Sequence, residues 1–307
     1  MSDSRPPIAL LTDSFPILGK ALETEFLVVS EEDDPAKVRG VVVAASEGAT
    51  PEQLDRYPNL EIVAVYGVGV DGLERQHLIA RELVLANTPG VLDDAVAEHA
   101  MALMLTAARR VREADDFVRE GEWGQAIFPL ARGLKGKRCG IVGLGRIGHK
   151  IARLAEAFGL TIAYHGRHHQ KDVIYEYFDD LWALATESDV LVLALPGGSE
   201  TEGIVGQEVL RALGPEGLLV NVARGSVVDD DALVEALEFG DLGGAALDVF
   251  STEPKVPEAL LALPNVVLTP HIASATEEAR GAMVDFTLEN LRAHFSQQTV
   301  PGQCRLF

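Results

Sequence analysis

Short apolar runs recur along the chain with only modest polar or amphipathic stretches between them. Ile8–Leu11, Phe26–Val29, Val41–Ala44, Ile62–Val65 and Leu83–Ala86 are rich in Val, Ile and Leu and read as buried strands separated by short helices. A second series predicts six more strands: Cys139–Gly143, Thr161–Tyr164, Val190–Leu195, Leu218–Val222, Ala245–Val249 and Val266–Thr269. Strands alternating with helices make a parallel sheet covered on both faces. Six in succession match a doubly wound sheet.

Three helices are legible between and after the strands. Asp93 and Asp94 stand ahead of an apolar stretch, Ala95 to Val111, that closes on Arg109, Arg110 and Arg112. Acids first and bases last suit a helix dipole. Val96, Ala97, Ala100, Met101, Leu103, Met104, Ala107 and Ala108 cover nearly all its faces, which predicts a buried helix between two domains. Ile147, Ile151, Leu154 and Phe158 define one apolar face of a second helix. Ser274-Ala275-Thr276-Glu277 has capping-box spacing, and Val284, Leu288, Leu291 and Phe295 then form a stripe that ends before Gln297–Thr299. This last helix is expected to return to the N-terminal domain. The division expected is residues 1–97 with 276–307 in one domain and 98–275 in the other.

Composition narrows the function classes. With 307 residues and 47% hydrophobic content, the chain suits two folded domains rather than a disordered or fibrous protein. Lys+Arg 26 against Asp+Glu 47 leaves a net charge of -21, which argues against nucleic acid and anionic membranes as partners. The longest apolar runs, Ile62–Val70 and Met101–Ala108, fall well short of the ~18 residues of a membrane span. The segment from Met1 to Pro7 lacks the charged and apolar regions of a signal peptide. Cys139 and Cys304 leave a disulfide open, but a reduced, cytoplasmic protein fits better.

Gly143-Leu144-Gly145-Arg146-Ile147-Gly148 is a G-x-G-x-x-G that follows an apolar strand and opens an amphipathic helix. In that setting the glycines allow a tight turn, close approach of a pyrophosphate and helix-on-strand packing. The alternative is a glycine-rich turn without a ligand. At the end of the next strand, an NAD site usually carries an acid for the ribose hydroxyls. Here the residues are His165-Gly166-Arg167-His168-His169-Gln170-Lys171, a basic cluster in an acidic chain. It suits the 2′-phosphate of NADP, the alternative being a solvated basic loop. Arg224, Glu253 and His271 each follow a predicted strand of the same half. Carboxyl ends of parallel strands surround the ligand crevice, so a guanidinium, a carboxylate and an imidazole are expected to converge there. Taken singly, each could be an ion pair, a surface charge or a core histidine.

These segments resemble the D-isomer-specific 2-hydroxyacid dehydrogenase family. The similarity lies in Gly143–Gly148, Asn221-Val222-Ala223-Arg224-Gly225, Gly244–Phe250 with Glu253-Pro254, and Thr269-Pro270-His271-Ile272-Ala273-Ser274. Tyr66-Gly67-Val68-Gly69-Val70-Asp71 and Asn87-Thr88-Pro89-Gly90 add to it. The nearest branch is the NADPH-dependent glyoxylate/hydroxypyruvate and hydroxyphenylpyruvate reductases, with Arg167 as its mark.

The resemblance implies two doubly wound parallel-sheet domains with a cleft between them, a flavodoxin-like substrate domain and a Rossmann cofactor domain. It implies reduction of a 2-keto acid to the D-2-hydroxy acid, with NADP(H) preferred over NAD(H), no metal, and a homodimer. Arg224 would bind the keto acid, and His271 would donate the proton. Glu253 would stabilise the imidazolium and raise its pKa. Backbone N–H groups near Val68 and Gly69 would hold the substrate carboxylate, and Asp248 would orient the nicotinamide amide. The cofactor would also lie against Pro196, Val222, Ala223, Ala273 and Ser274. Asp93-Asp94-Ala95 departs from the family's Thr followed by acids. Two other readings share this pattern: a sibling dehydrogenase with another 2-hydroxy acid, and a non-enzymatic NAD(P)-sensing corepressor-type protein. For the dimer, the arm Val111–Gly133 carries Phe117, Trp123, Ile127 and Phe128, large groups that call for a partner surface.

Overall fold

The computed structural model describes residues 4–30 and 33–306. Met1–Asp3, within the segment read as lacking a signal peptide, lie outside the described residues. The chain forms two compact units, Met1–Leu92 with Ala275–Phe307, and Asp93–Ser274. Among the described residues no helix is long and apolar enough to cross a membrane.

Among the described residues the first unit holds five strands, β1 (Pro7–Leu10), β2 (Leu27–Val28), β3 (Gly40–Ala44), β4 (Ile62–Tyr66) and β5 (Val84–Ala86). All pair in parallel, in the order β2-β1-β3-β4-β5, which is the flavodoxin-like arrangement. Every residue of β3 and β4 is buried, as unbroken β-branched runs require when both faces of a sheet are covered. The last helix, Glu277–Phe295, packs against β4 and the helix Pro16–Glu25. Its cap is Thr276, whose hydroxyl accepts from the Ala279 N–H at 3.1 Å, two residues later than the Ser274 spacing suggested. Val284, Leu288 and Leu291 are buried as expected. The same helix contributes the fully buried Asn290, whose Nδ2 donates to Asn87 O (2.9 Å) and whose Oδ1 accepts from Gly302 N (2.8 Å).

The second unit holds seven strands, one more than the six predicted. They are β6 (Arg138–Val142), β7 (Thr161–His165), β8 (Glu176–Phe178), β9 (Val190–Leu193), β10 (Leu218–Asn221), β11 (Gly244–Leu247) and β12 (Val266–Leu268). The parallel order β12-β11-β10-β9-β6-β7-β8 is a Rossmann sheet with one added strand, its switch point between β6 and β9. β8, the unpredicted strand, is only Glu-Tyr-Phe, too short and too polar at its start to register as an apolar run.

Two helices of this unit differ from expectation. The buried one spans Asp93–Arg109 and packs on the helix Arg146–Ala157. It stops two residues early because Arg110 takes a left-handed conformation (φ 54°), and a separate helix, Val111–Arg119, follows. In Arg146–Ala157 the buried face is Gly148, Ile151, Ala152 and Ala155. Phe158, assigned to that face, lies past the helix end and is 46% exposed.

Replacing Asn290 with Ala leaves the Asn87 carbonyl and the Gly302 N–H without their partner. A buried group so stranded costs about 1–3 kcal/mol. The expected outcome is a lower urea midpoint and faster hydrogen exchange at Gly302, with Asn290→Asp giving no rescue because it sets a buried carboxylate against the Asn87 carbonyl.

Candidate active site

β6 ends at Val142 and the chain turns at Gly143, whose φ of +93° and tight approach to Leu195 exclude a side chain. A Cβ on Gly148 would lie 2.3 Å from the Gly143 carbonyl oxygen, so this glycine lets the helix start directly against the turn. A Cβ on Gly145, by contrast, would meet nothing within 4 Å. Gly145 caps the helix Arg146–Ala157 without a side-chain hydrogen bond, leaving its first N–H groups for an anion. The turn therefore fits a pyrophosphate. Leu144 is buried and Ile147 half-buried. Arg146 is exposed, but its Nε donates to Asp93 at 3.1 Å, and Lys150 pairs with Asp94 at 2.5 Å. The two aspartates that open the buried helix thus hold the helix of the glycine turn, a role that helix-dipole reasoning did not anticipate.

At the end of β7, Gly143 N–H donates to His165 O at 2.9 Å, tying the turn to the next strand. The His165 ring bonds the Phe178 carbonyl through Nδ1 (3.0 Å). Gly166 is half-buried, while Arg167, His168, His169 and Lys171 are exposed beyond it. No carboxylate occupies this strand end. Pro196 is exposed three residues past the end of β9, at the other side of the switch point.

Arg224, Glu253 and His271 follow β10, β11 and β12, three adjacent strands. Buried Val222 and Ala223 lead to Arg224. The turn at Arg224 is shaped by the buried Asn221, which accepts from Ala223 N (3.0 Å) and donates to Arg224 O (2.9 Å). Gly225 presses against the backbone after β11; a Cβ there would lie 1.8 Å from the Phe250 carbonyl carbon. Glu253 Oε1 accepts from Phe250 N (3.0 Å), and Oε2 accepts from His271 Nδ1 (2.7 Å). Burial pushes the Glu253 carboxyl up, but the His271 and Phe250 hydrogen bonds and the positive charges of His271 and Arg224 outweigh it, holding the group below the usual range. With Nδ1 so engaged, Nε2 is the ring nitrogen left to meet a substrate.

His271 itself sits in the left-handed region, φ +52°, unusual for a side chain of this size. Its position is held by Asp248, which is 0% exposed. Asp248 Oδ1 accepts from Ile272 N (2.9 Å) and Thr269 Oγ1 (2.6 Å), and Oδ2 accepts from Ala273 N (2.8 Å). His99 Nε2 approaches Oδ1 at 3.2 Å and Thr269 Oγ1 at 3.0 Å. Desolvation pushes this carboxyl up, yet His99, Thr269 and the two amides together hold it below the usual range. Ala273 is buried and Ser274 half-buried on the segment that Asp248 anchors. His99, Thr269 and Asn221 are functional neighbours to which sequence reading gave no role. Asn221 and Thr269 lay inside quoted motifs, but His99 carried no signal beyond its helix.

In the first unit, Val68 and Gly69 are half-buried just beyond β4. The Gly67 carbonyl accepts from Thr88 N (2.9 Å) and the Val68 carbonyl from Asn87 Nδ2 (2.7 Å). Among the described residues the N–H groups of Val68 and Gly69 have no hydrogen-bond partner. Tyr66, which precedes them, is buried under the Arg280 guanidinium, 5.8 Å from its ring.

Residues 101–273 match the family model of the D-isomer specific 2-hydroxyacid dehydrogenase, NAD binding domain. Glyoxylate/hydroxypyruvate reductase A HPR2 of Arabidopsis thaliana is 46% identical over 86% of this chain and 84% of its own. Hydroxyphenylpyruvate reductase of Plectranthus scutellarioides is 44% identical over 89% and 86%. The NADPH-dependent glyoxylate/hydroxypyruvate reductase of Sinorhizobium meliloti, solved with NADP and malonate, superposes with a TM-score of 0.94 at 41% identity, covering 99% of this chain and 98% of that one. The chain belongs to the D-isomer specific 2-hydroxyacid dehydrogenase family.

Proposed function

We propose that this protein is an NADPH-linked reductase of small 2-keto acids such as glyoxylate or hydroxypyruvate, forming the D-2-hydroxy acid. The observation that carries the reading is the 2.7 Å bond from His271 Nδ1 to Glu253, at a strand end adjacent to that of Arg224. When bound, the nicotinamide supplies a hydride to the keto carbon. His271 Nε2 delivers a proton to the carbonyl oxygen, and Glu253 holds the positive charge of the imidazolium that serves as donor. Arg224 offers a planar fork to the keto oxygen and carboxylate, which Lys could not reproduce. In the first unit, the partnerless N–H groups of Val68 and Gly69 suit a carboxylate. Asp248 serves the reaction by fixing the segment that carries His271.

NADPH is favoured over NADH because β7 is followed by Arg167 and histidines where an acid would serve NADH. The comparison with the Sinorhizobium enzyme and its bound NADP supports this reading. A reducing, cytoplasmic setting fits the free thiols Cys139 and Cys304, the first pushed up to about 12 by burial. A homodimer fits the arm after the helix Asp93–Arg109. There Trp123, Ile127 and Leu130 are 77%, 95% and 97% exposed, although Phe117 and Phe128 cover each other edge to face at 5.4 Å.

Four outcomes test these assignments. His271→Ala is expected to lower the turnover rate by ~10²–10⁴-fold with NADPH affinity retained. Glu253→Gln should move the alkaline limit of reduction to lower pH, because the protonated imidazole loses its counter-charge; near-normal turnover by His271→Ala removes the assignment. Arg167→Ala should cut the ratio of kcat/KM for NADPH to that for NADH by roughly ten- to a hundredfold, the worth of a charge-assisted bond. A wild-type preference for NADH defeats the cofactor reading. Light scattering should give a dimer mass, and a monomer mass at every concentration rejects the arm as an interface.

A further inference from the structure

The basic cluster lies on the connection between β7 and β8, and its charged side chains are exposed. An exposed loop of this kind loses much of its attraction for a phosphate to the entropy of ordering on binding. This loop is already fastened. Gln170, half-buried among exposed neighbours, reaches three elements at once. Its backbone N–H donates to the hydroxyl of the fully buried Tyr164 (2.8 Å), and its Nε2 donates to the Leu144 carbonyl inside the glycine turn (2.8 Å). Its Oε1 lies 3.3 Å from His149 Nε2, on the helix that follows the turn. The Leu144 carbonyl can only accept, which sets the carboxamide orientation and places a hydrogen on His149 Nε2. β8 holds the other side of the loop. Tyr177 Oη donates to Gly166 O (3.1 Å), and the His169 ring stacks on the Tyr177 ring at 5.2 Å.

We propose that Gln170 is a specificity-determining positioning residue that fastens the Arg167 loop to the glycine turn, so that the distance from pyrophosphate to 2′-phosphate is set before the cofactor arrives. Arg167 supplies the charge, and Gln170 supplies its place. The proposal rests on the NADPH reading above. It accounts for a feature the charges alone do not explain: a side chain of the phosphate loop bonded to the backbone of the pyrophosphate turn.

The test is binding, measured by calorimetry on the intact protein with NADPH, NADH and 2′,5′-ADP. Gln170→Ala should weaken NADPH and 2′,5′-ADP by roughly 3- to 10-fold, the worth of one net hydrogen bond, with NADH moving far less. Gln170→Glu should weaken them further, since it sets a carboxylate against the Leu144 carbonyl and near the phosphate. In an Arg167→Ala background, Gln170→Ala should add little, because the group it positions is gone. The proposal is overturned if Gln170→Ala weakens NADPH and NADH equally, or if its effect adds in full to that of Arg167→Ala. If the unaltered protein binds NADH as tightly as NADPH, the cofactor reading fails first and the proposal falls with it. If Arg167→Ala alone shifts the ratio and Gln170→Ala does not, only the positioning role is lost.

Discussion

The buried carboxylate of Asp248 is the interaction on which the proposed reaction centre depends. A charge with no solvent exposure is costly unless donors surround it. Here two backbone amides, a hydroxyl and an imidazole do so, and their combined effect keeps the group ionised against its burial. The reward is geometric. Because Ile272 and Ala273 must both point their N–H groups at Asp248, the chain between Pro270 and Ala273 has little freedom, and His271 is held in a left-handed conformation that few non-glycine residues adopt. The Glu253 bond then fixes the ring itself. Backbone and ring are constrained by different carboxylates, one buried, the other more exposed and shared with the imidazole.

The parallel sheet makes this economy available. Adjacent strands end at one level, so the segments after β10, β11 and β12 need no long excursions to bring their side chains near each other. Close approach is limited by side-chain bulk, and Gly225 removes that limit where the turn after β10 meets Phe250. The coulombic influence of Arg224 on Glu253 follows from that approach. The same device recurs at the switch point, where Gly148 lets a helix begin against the Gly143 carbonyl.

Much of this could be read from residue order alone, because buried parallel strands are unbroken β-branched runs and their ends are where chemistry collects. Glycine spacing and the residues after each strand pointed to the groups that the structure places at adjacent strand ends. What escaped was either short or distant. β8 is three residues with no apolar periodicity. The cap at Thr276 rather than Ser274 depends on which hydroxyl the backbone turns inward, and a spacing rule cannot choose between them. Phe158 kept the helical period but lies past the last turn. His99 meets Asp248 and Thr269 across some 150–170 positions of sequence, and Gln170 meets Leu144 across 26, contacts that only the folded sheet creates.

The overall charge of -21 gives the local placement of cations its meaning. In such a field a basic residue is readily claimed by a neighbouring acid, and Arg146 is, although it lies inside the glycine motif. Asp93, where the family often has a neutral Thr, is the acid that claims it and is itself only 2% exposed. That pairing draws Arg146 toward the buried helix and away from the role of a free cation at the cofactor. On the proposed NADPH reading, the burden of recognising an extra phosphate then passes to the cluster beyond β7, where no acid stands between Gly166 and Lys171. On that reading, cofactor choice becomes a matter of which arginine is left uncommitted by its surroundings, and of how firmly the loop that carries it is held.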